Sequence, residues 1–206
     1  TSHSYLHDLS FMRQKIAQFI SILGHPFVTL PAFLLYVLFA YEELYKAIWT
    51  SGIVIGGMFI PMAVKTYRGT KRGDYTNLDV SNQMQRQKWY RTAVLLLILV
   101  IALLYFTDQS RSMRFNTVYA FLLLVTAQLV NVYIKSSMHV AYNVFLVFLI
   151  LPIHSELAIL FGFFVVAIAW SRLELKRHTM KEVISGTIIG LVFGITSFLT
   201  TNAFGK

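Results

Sequence analysis

Seven runs without a single Asp, Glu, Lys or Arg constrain this chain more than any other feature: residues 16–41, 47–64, 92–107, 115–134, 136–155, 157–171 and 183–205. A bilayer core takes about 20 helical residues to cross, and within it every backbone N–H and C=O must find a partner inside the protein. Runs of this length and number predict an all-α fold, a polytopic transmembrane bundle of six or seven helices. Apolar residues make up 56% of the sequence and charged residues 13%, which excludes an ordinary soluble globule. The first run is followed by six more and lacks a cleavage site, so it reads as mature protein rather than a signal peptide. Residues 1–206 read as one integral membrane domain with a cationic connector over 66–91.

The formal charge is +9, but the cations lie beside apolar runs rather than on a soluble amphipathic face, which favours membrane lipids and phosphate over nucleic acid as partners. Without cysteine the chain has no thiolate nucleophile and no Cys-type metal site. His3 and His7 are four residues apart with no accompanying carboxylate pattern, and no metal or cofactor is assigned. His25, beside Pro26, reads as a hydrogen-bonded structural histidine and His154 as a turn residue. Trp49, Trp89, Tyr90 and Trp170 sit near expected helix ends and read as interfacial anchors. Arg68, Lys71, Arg86, Lys88 and Arg91 read either as a solvated basic loop or as headgroup contacts.

Three polar stretches lie at the boundaries of apolar runs: Lys65 to Gly73, Ser136 to His139, and Ser171 to Glu182. They contain two histidines, His139 and His178, three cations, Lys65, Arg72 and Arg172, and the carboxylate Glu182. Imidazoles can attack phosphorus and carry protons, and fixed cations hold the charge that spreads over a transferring phosphoryl group, so the set suits metal-free phosphoryl transfer. Two apolar runs separate the first stretch from the second and two more separate the second from the third, which places all three at one membrane face. Pro26 and Pro31 are expected to bend or interrupt the first helix. Gly186, Gly190 and Gly194 recur every four residues, a spacing that permits close approach to a neighbouring helix.

Ser171-Arg172, five residues, His178, three residues and Glu182 together resemble the third signature of the type 2 phosphatidic acid phosphatase superfamily, Ser-Arg-x5-His-x3-Asp. Lys65, six residues, Arg72 and Gly73 are similar to the first signature, Lys-x6-Arg-Pro, and Ser136-Ser137-Met138-His139 to the second, Pro-Ser-Gly-His. Order and internal spacing agree, while Gly73, Ser136, Met138 and Glu182 stand where the signatures have Pro, Pro, Gly and Asp. The likeness covers roughly residues 65–190. It implies a membrane lipid phosphatase in which His178 forms a phosphohistidine, His139 protonates the departing oxygen, and Glu182 orients His178. Lys65, Arg72, Ser137 and Arg172 would bind the phosphoryl oxygens. The implied substrate is a lipid phosphomonoester or pyrophosphate. Two alternatives stand beside this: a phosphotransferase in which an alcohol replaces water, and a non-catalytic lipid-phosphate binding or transport protein in which Met138 and Glu182 mark a disabled site.

If residues 16–41 cross once, only Lys46, Arg111, Arg114 and Lys206 among the 18 Lys and Arg lie opposite the three stretches, which favours a cytoplasmic site by the positive-inside rule. Similar membrane phosphatases usually work on the extracytoplasmic face. The expected location is the cell membrane, with the side and the oligomeric state unassigned.

Overall fold

The computed structural model describes the backbone of residues 2–204 and the side chains of residues 10–204, so the side chains of His3, His7 and Lys206 lie outside the described residues. Among the described residues the chain is helical with no strand. In order the helices are α1 (Ser2–Leu23), α2 (Pro26–Tyr41), α3 (Leu44–Val54), a π turn (Ile55–Phe59), α4 (Ile60–Arg72), α5 (Gln83–Tyr105), α6 (Arg111–Val130), α7 (Met138–Ile150), α8 (Ser155–Glu174) and α9 (Met180–Phe204).

The first apolar run is broken where Pro26 starts a new helix. His25 sits in extended backbone before it, its ring nitrogen caps the N–H of Phe27, and α1 and α2 meet at a 46° bend. Pro at a first helical position loses no intrahelical bond. Pro31, the other expected break, stays inside α2.

Five helices are long and apolar enough to cross a bilayer, with α3, the π turn and α4 acting as one of them over Leu44–Arg72, and the bent α1–α2 pair makes six. This is a multi-pass membrane architecture. The fifth apolar run, 136–155, gives α7, whose 13 residues extend only about 20 Å at 1.5 Å each, short of a hydrocarbon core. Its shortness is tolerable because protein surrounds it. Residues from Met138 to Leu146 are buried without interruption, as expected of a helix apolar on every side.

α9 lies against α7 along the glycine row. A Cβ at Gly186 would stand 2.5 Å from the Ser137 carbonyl oxygen, one at Gly190 2.5 Å from that of Ala141, and one at Gly194 would strike the Phe148 ring. The close approach read from the four-residue spacing is therefore present. Its consequence is local to one end of the bundle: the entry into α7 is pinned between α9 and the start of α5.

Candidate functional site

The chain reverses between α8 and α9 by folding its backbone onto Arg172, whose carbonyl accepts the N–H groups of Arg177 (3.0 Å) and His178 (3.2 Å). Thr179 and Glu182 then start α9 as a reciprocal cap. The Thr179 N–H donates to Glu182 Oε2 at 3.0 Å, and the Glu182 N–H donates to the Thr179 hydroxyl at 3.4 Å. The same carboxylate oxygen lies 3.0 Å from His178 Nδ1. A helix cap thus sets the imidazole, and the extra methylene of Glu relative to Asp is accommodated by it.

The His178 side chain is only 1% exposed. Burial, reinforced by the positive charges of Arg86, Arg172 and Lys135, pushes its pKa down to about 2, and a backbone hydrogen bond to Lys135 only partly offsets this. The ring is therefore neutral at pH 7, the form in which a nitrogen has a lone pair to offer.

Ser136 and Ser137 reach the same place from the entry to α7. The Ser137 N–H donates to the Glu182 carbonyl at 3.0 Å, and the Ser136 and Ser185 hydroxyls share a 2.7 Å hydrogen bond. Lys135 Nζ lies 3.8 Å from Glu182 Oε2. Burial lowers the pKa of Lys135, an effect that Glu182 opposes and the nearby Arg86, Arg172 and Arg177 reinforce. His139 follows on the first turn of α7, edge-on to His25 with ring centroids 4.7 Å apart. Arg172, His25, His178 and Arg86 are the charged or titratable groups around it. The second and third stretches, with their two histidines, do converge.

Arg172 is 1% exposed and is held by Asp79 at 2.8 Å and by the Ser21 hydroxyl of α1. Burial of Asp79 works to raise its pKa, but Arg172, His25 and Arg177 together hold it below the usual carboxylate value. Arg86, at the start of α5, donates to the carbonyls of Ser136 (2.9 Å) and Val80 (3.3 Å). Val80 itself has φ 47°, a left-handed conformation costly for a β-branched residue and sustained only where its surroundings fix it. Three polar atoms of the cluster, Ser137 Oγ, His139 Nε2 and Arg172 Nε, are buried with no hydrogen-bond partner among the described residues. Each such group costs about 1–3 kcal/mol when unmatched. Each of the three can donate a hydrogen bond to an oxygen of an anion.

The two cations of the first stretch do not join them, although its Thr66 lines the cavity beside His139. Lys65 is half-buried and Arg72 exposed, and neither forms an ion pair with a described residue. Gly73 explains part of the departure: it closes α4 at φ 81°, a conformation closed to proline, whose ring fixes φ near −65°. Ser136 likewise donates its N–H to the Ile134 carbonyl at 2.8 Å, a bond proline cannot make. The cations actually beside the histidines are Arg172, Arg86 and Lys135. Arg86 stood in the sequence as one loop cation among several, and Asp79 and Lys135 belonged to no spacing pattern; the folded connector brings in Asp79 and Arg86, and Lys135 arrives with the entry into α7 beside Ser136.

Among the described residues, His25, Asp79 and His139 bring ligand atoms within 4.8 Å of one another. Their bonding fits a metal poorly. His25 Nδ1 accepts the Phe27 N–H at 3.1 Å, which leaves the neutral ring's proton on Nε2, the atom facing Asp79 Oδ1 at 3.8 Å. A proton occupies the position where a metal needs a lone pair, and the other Asp79 oxygen is engaged by Arg172.

No protein-family profile, curated protein or solved structure matches this chain.

Proposed function

We propose that the protein is a lipid phosphatase of the cell membrane that hydrolyses a lipid phosphomonoester or pyrophosphate through a phosphohistidine on His178. The observation that supports this best is the meeting of His139, His178 and Arg172 in one buried cluster where Glu182 orients the neutral His178 ring. In the first step His178 Nε2 attacks phosphorus, the P–O bond to the lipid breaks, and His139, protonated by the bound substrate's own phosphate, gives that proton to the departing oxygen. In the second, water attacks the phosphohistidine, its proton returns to His139, and inorganic phosphate leaves with the P–N bond broken. Arg172, Arg86 and Lys135 stabilise the charge on the equatorial oxygens, which is greatest in the transition state.

The test is phosphate release in detergent from phosphatidic acid, phosphatidylglycerol phosphate and a polyprenyl pyrophosphate, with His178→Ala as control. Release from at least one of them, abolished in His178→Ala, is expected. Undiminished release by His178→Ala would reject the nucleophile, and no release by the unaltered protein from any lipid phosphate would reject the activity.

A further inference from the structure

The polar cluster opens into the interior of the bundle. A cavity of about 70 Å³ is lined at one end by His25, Asp79, Arg86 and His139 and at the other by Leu30, Met58, Phe59 and Tyr142. Those four apolar residues also line a second cavity, of about 440 Å³, which continues to Glu42, Ser110 and Pro152 at the opposite end of the helices. Three helices contribute lining residues in register with this axis: α2 from His25 to Leu38, α5 from Arg86 to Val100, and α7 from His139 to Leu149. The two half-open spaces share the four walls Leu30, Met58, Phe59 and Tyr142 and so lie end to end. Measured along α7 from His139 to Leu149 they span about 15 Å at 1.5 Å per residue.

Part of that shared wall comes from an irregularity in the chain. The π turn Ile55–Phe59 interrupts the helix Leu44–Arg72 and ends on Met58 and Phe59, two of the four shared residues; such turns shift the facing of side chains and recur at functional sites. At about 70 Å³ the upper space is far smaller than the lower one, so the narrow part of the path lies beside the polar cluster.

Building on the lipid-phosphate reading, we propose that the bundle interior binds the substrate's own hydrocarbon chain, one chain only, with the phosphate beside His139 and Arg86 and the tail threaded past Met58 and Phe59 into the lower cavity. The substrate class is then a single-chain lipid phosphate, of alkyl, lysophospholipid or prenyl type. The lower cavity falls within the 300–1,000 Å³ typical of small-ligand sites, and its walls are almost wholly apolar.

Two variants that fill the lower cavity away from the chemistry, Ala120→Phe and Leu34→Trp, are compared with the unaltered protein on hexadecyl phosphate, octyl phosphate and dihexadecanoyl phosphatidic acid. Each methylene removed from water adds to binding, so the unaltered protein should favour hexadecyl over octyl phosphate by about tenfold or more in kcat/KM. The variants should lose most of that preference while octyl phosphate turnover stays within about twofold. Equal losses on both chains, no loss on either, or a preference for the two-chain lipid would overturn the proposal. A readout independent of turnover separates it from the phosphatase reading: hexadecyl phosphate with a terminal diazirine should label Phe145 or Leu149, and excess hexadecyl phosphate should block the labelling. If that labelling occurs but no lipid phosphate is hydrolysed, the chain site stands and the activity falls. Labelling confined to outward-facing residues such as Leu95 and Ile188, 67% and 55% exposed, would remove the chain site whatever the activity.

Discussion

Arg86 is tied to two carbonyls on opposite sides of the site, those of Val80 and Ser136, so its guanidinium has little freedom to turn away. A preorganised cation of this kind lowers a barrier more than a mobile surface one does. Arg86→Ala should therefore reduce kcat/KM by about 10²–10³, whereas Arg72→Ala, at an exposed position outside the cluster, should stay within about twofold; steady-state kinetics on the best lipid phosphate decides between them. The reverse result would restore the cation assignment read from the first signature. His178 carries a separate signal in pH. Unfolded, it takes up a proton near its ordinary pKa of 6.5; folded, it resists until about 2, so its contribution to stability is full above pH 6.5 and is lost progressively as the pH falls. Thermal unfolding in detergent should show a lower Tm at about pH 5 than at about pH 7.5, and His178→Gln should narrow the gap. An unchanged gap would mean that this ring is not held neutral by the fold.

Among the elements, α7 and α9 matter most, because their contact sets where Ser137 and His139 stand. Gly186→Val places a branched side chain against the Ser137 carbonyl, and something in that backbone must move. We expect a loss of activity larger than any loss of Tm. Gly162→Ala, with open space at its Cβ, should leave activity intact and raise stability by up to about 1 kcal/mol. Equal effects of the two would show that the α7–α9 contact does not position the site. The helices were legible because charge-free runs of membrane-spanning length admit little else, and the glycine row was legible because its period matches a helix face. What the spacing of the first stretch does not reveal is the left-handed turn at Gly73, beyond which the connector, rather than Arg72, supplies Asp79 and Arg86 to the cavity beside His139. Their partners, Arg172 and the Ser136 carbonyl, lie 93 and 50 residues away, a separation at which no local pattern operates.

Across the whole molecule, segments from α1, the 73–82 connector, α5, the α7 entry and the α8–α9 reversal surround one buried polar cluster with apolar-walled cavities beyond it. Under the proposed function this cluster is the headgroup site, and its burial removes it from bulk water, where fixed charges act more strongly. The central claim is that His178 becomes covalently phosphorylated while His139 serves the departing and attacking oxygens. Its most direct test is rapid quenching of the His139→Ala protein with a ³²P-labelled lipid phosphate, followed by peptide mapping. Acid-labile, base-stable label on the peptide containing His178, absent in the His139→Ala/His178→Ala double variant, is the predicted result. Label on another residue, or lipid hydrolysis by the unaltered protein without any phosphoenzyme, would contradict it.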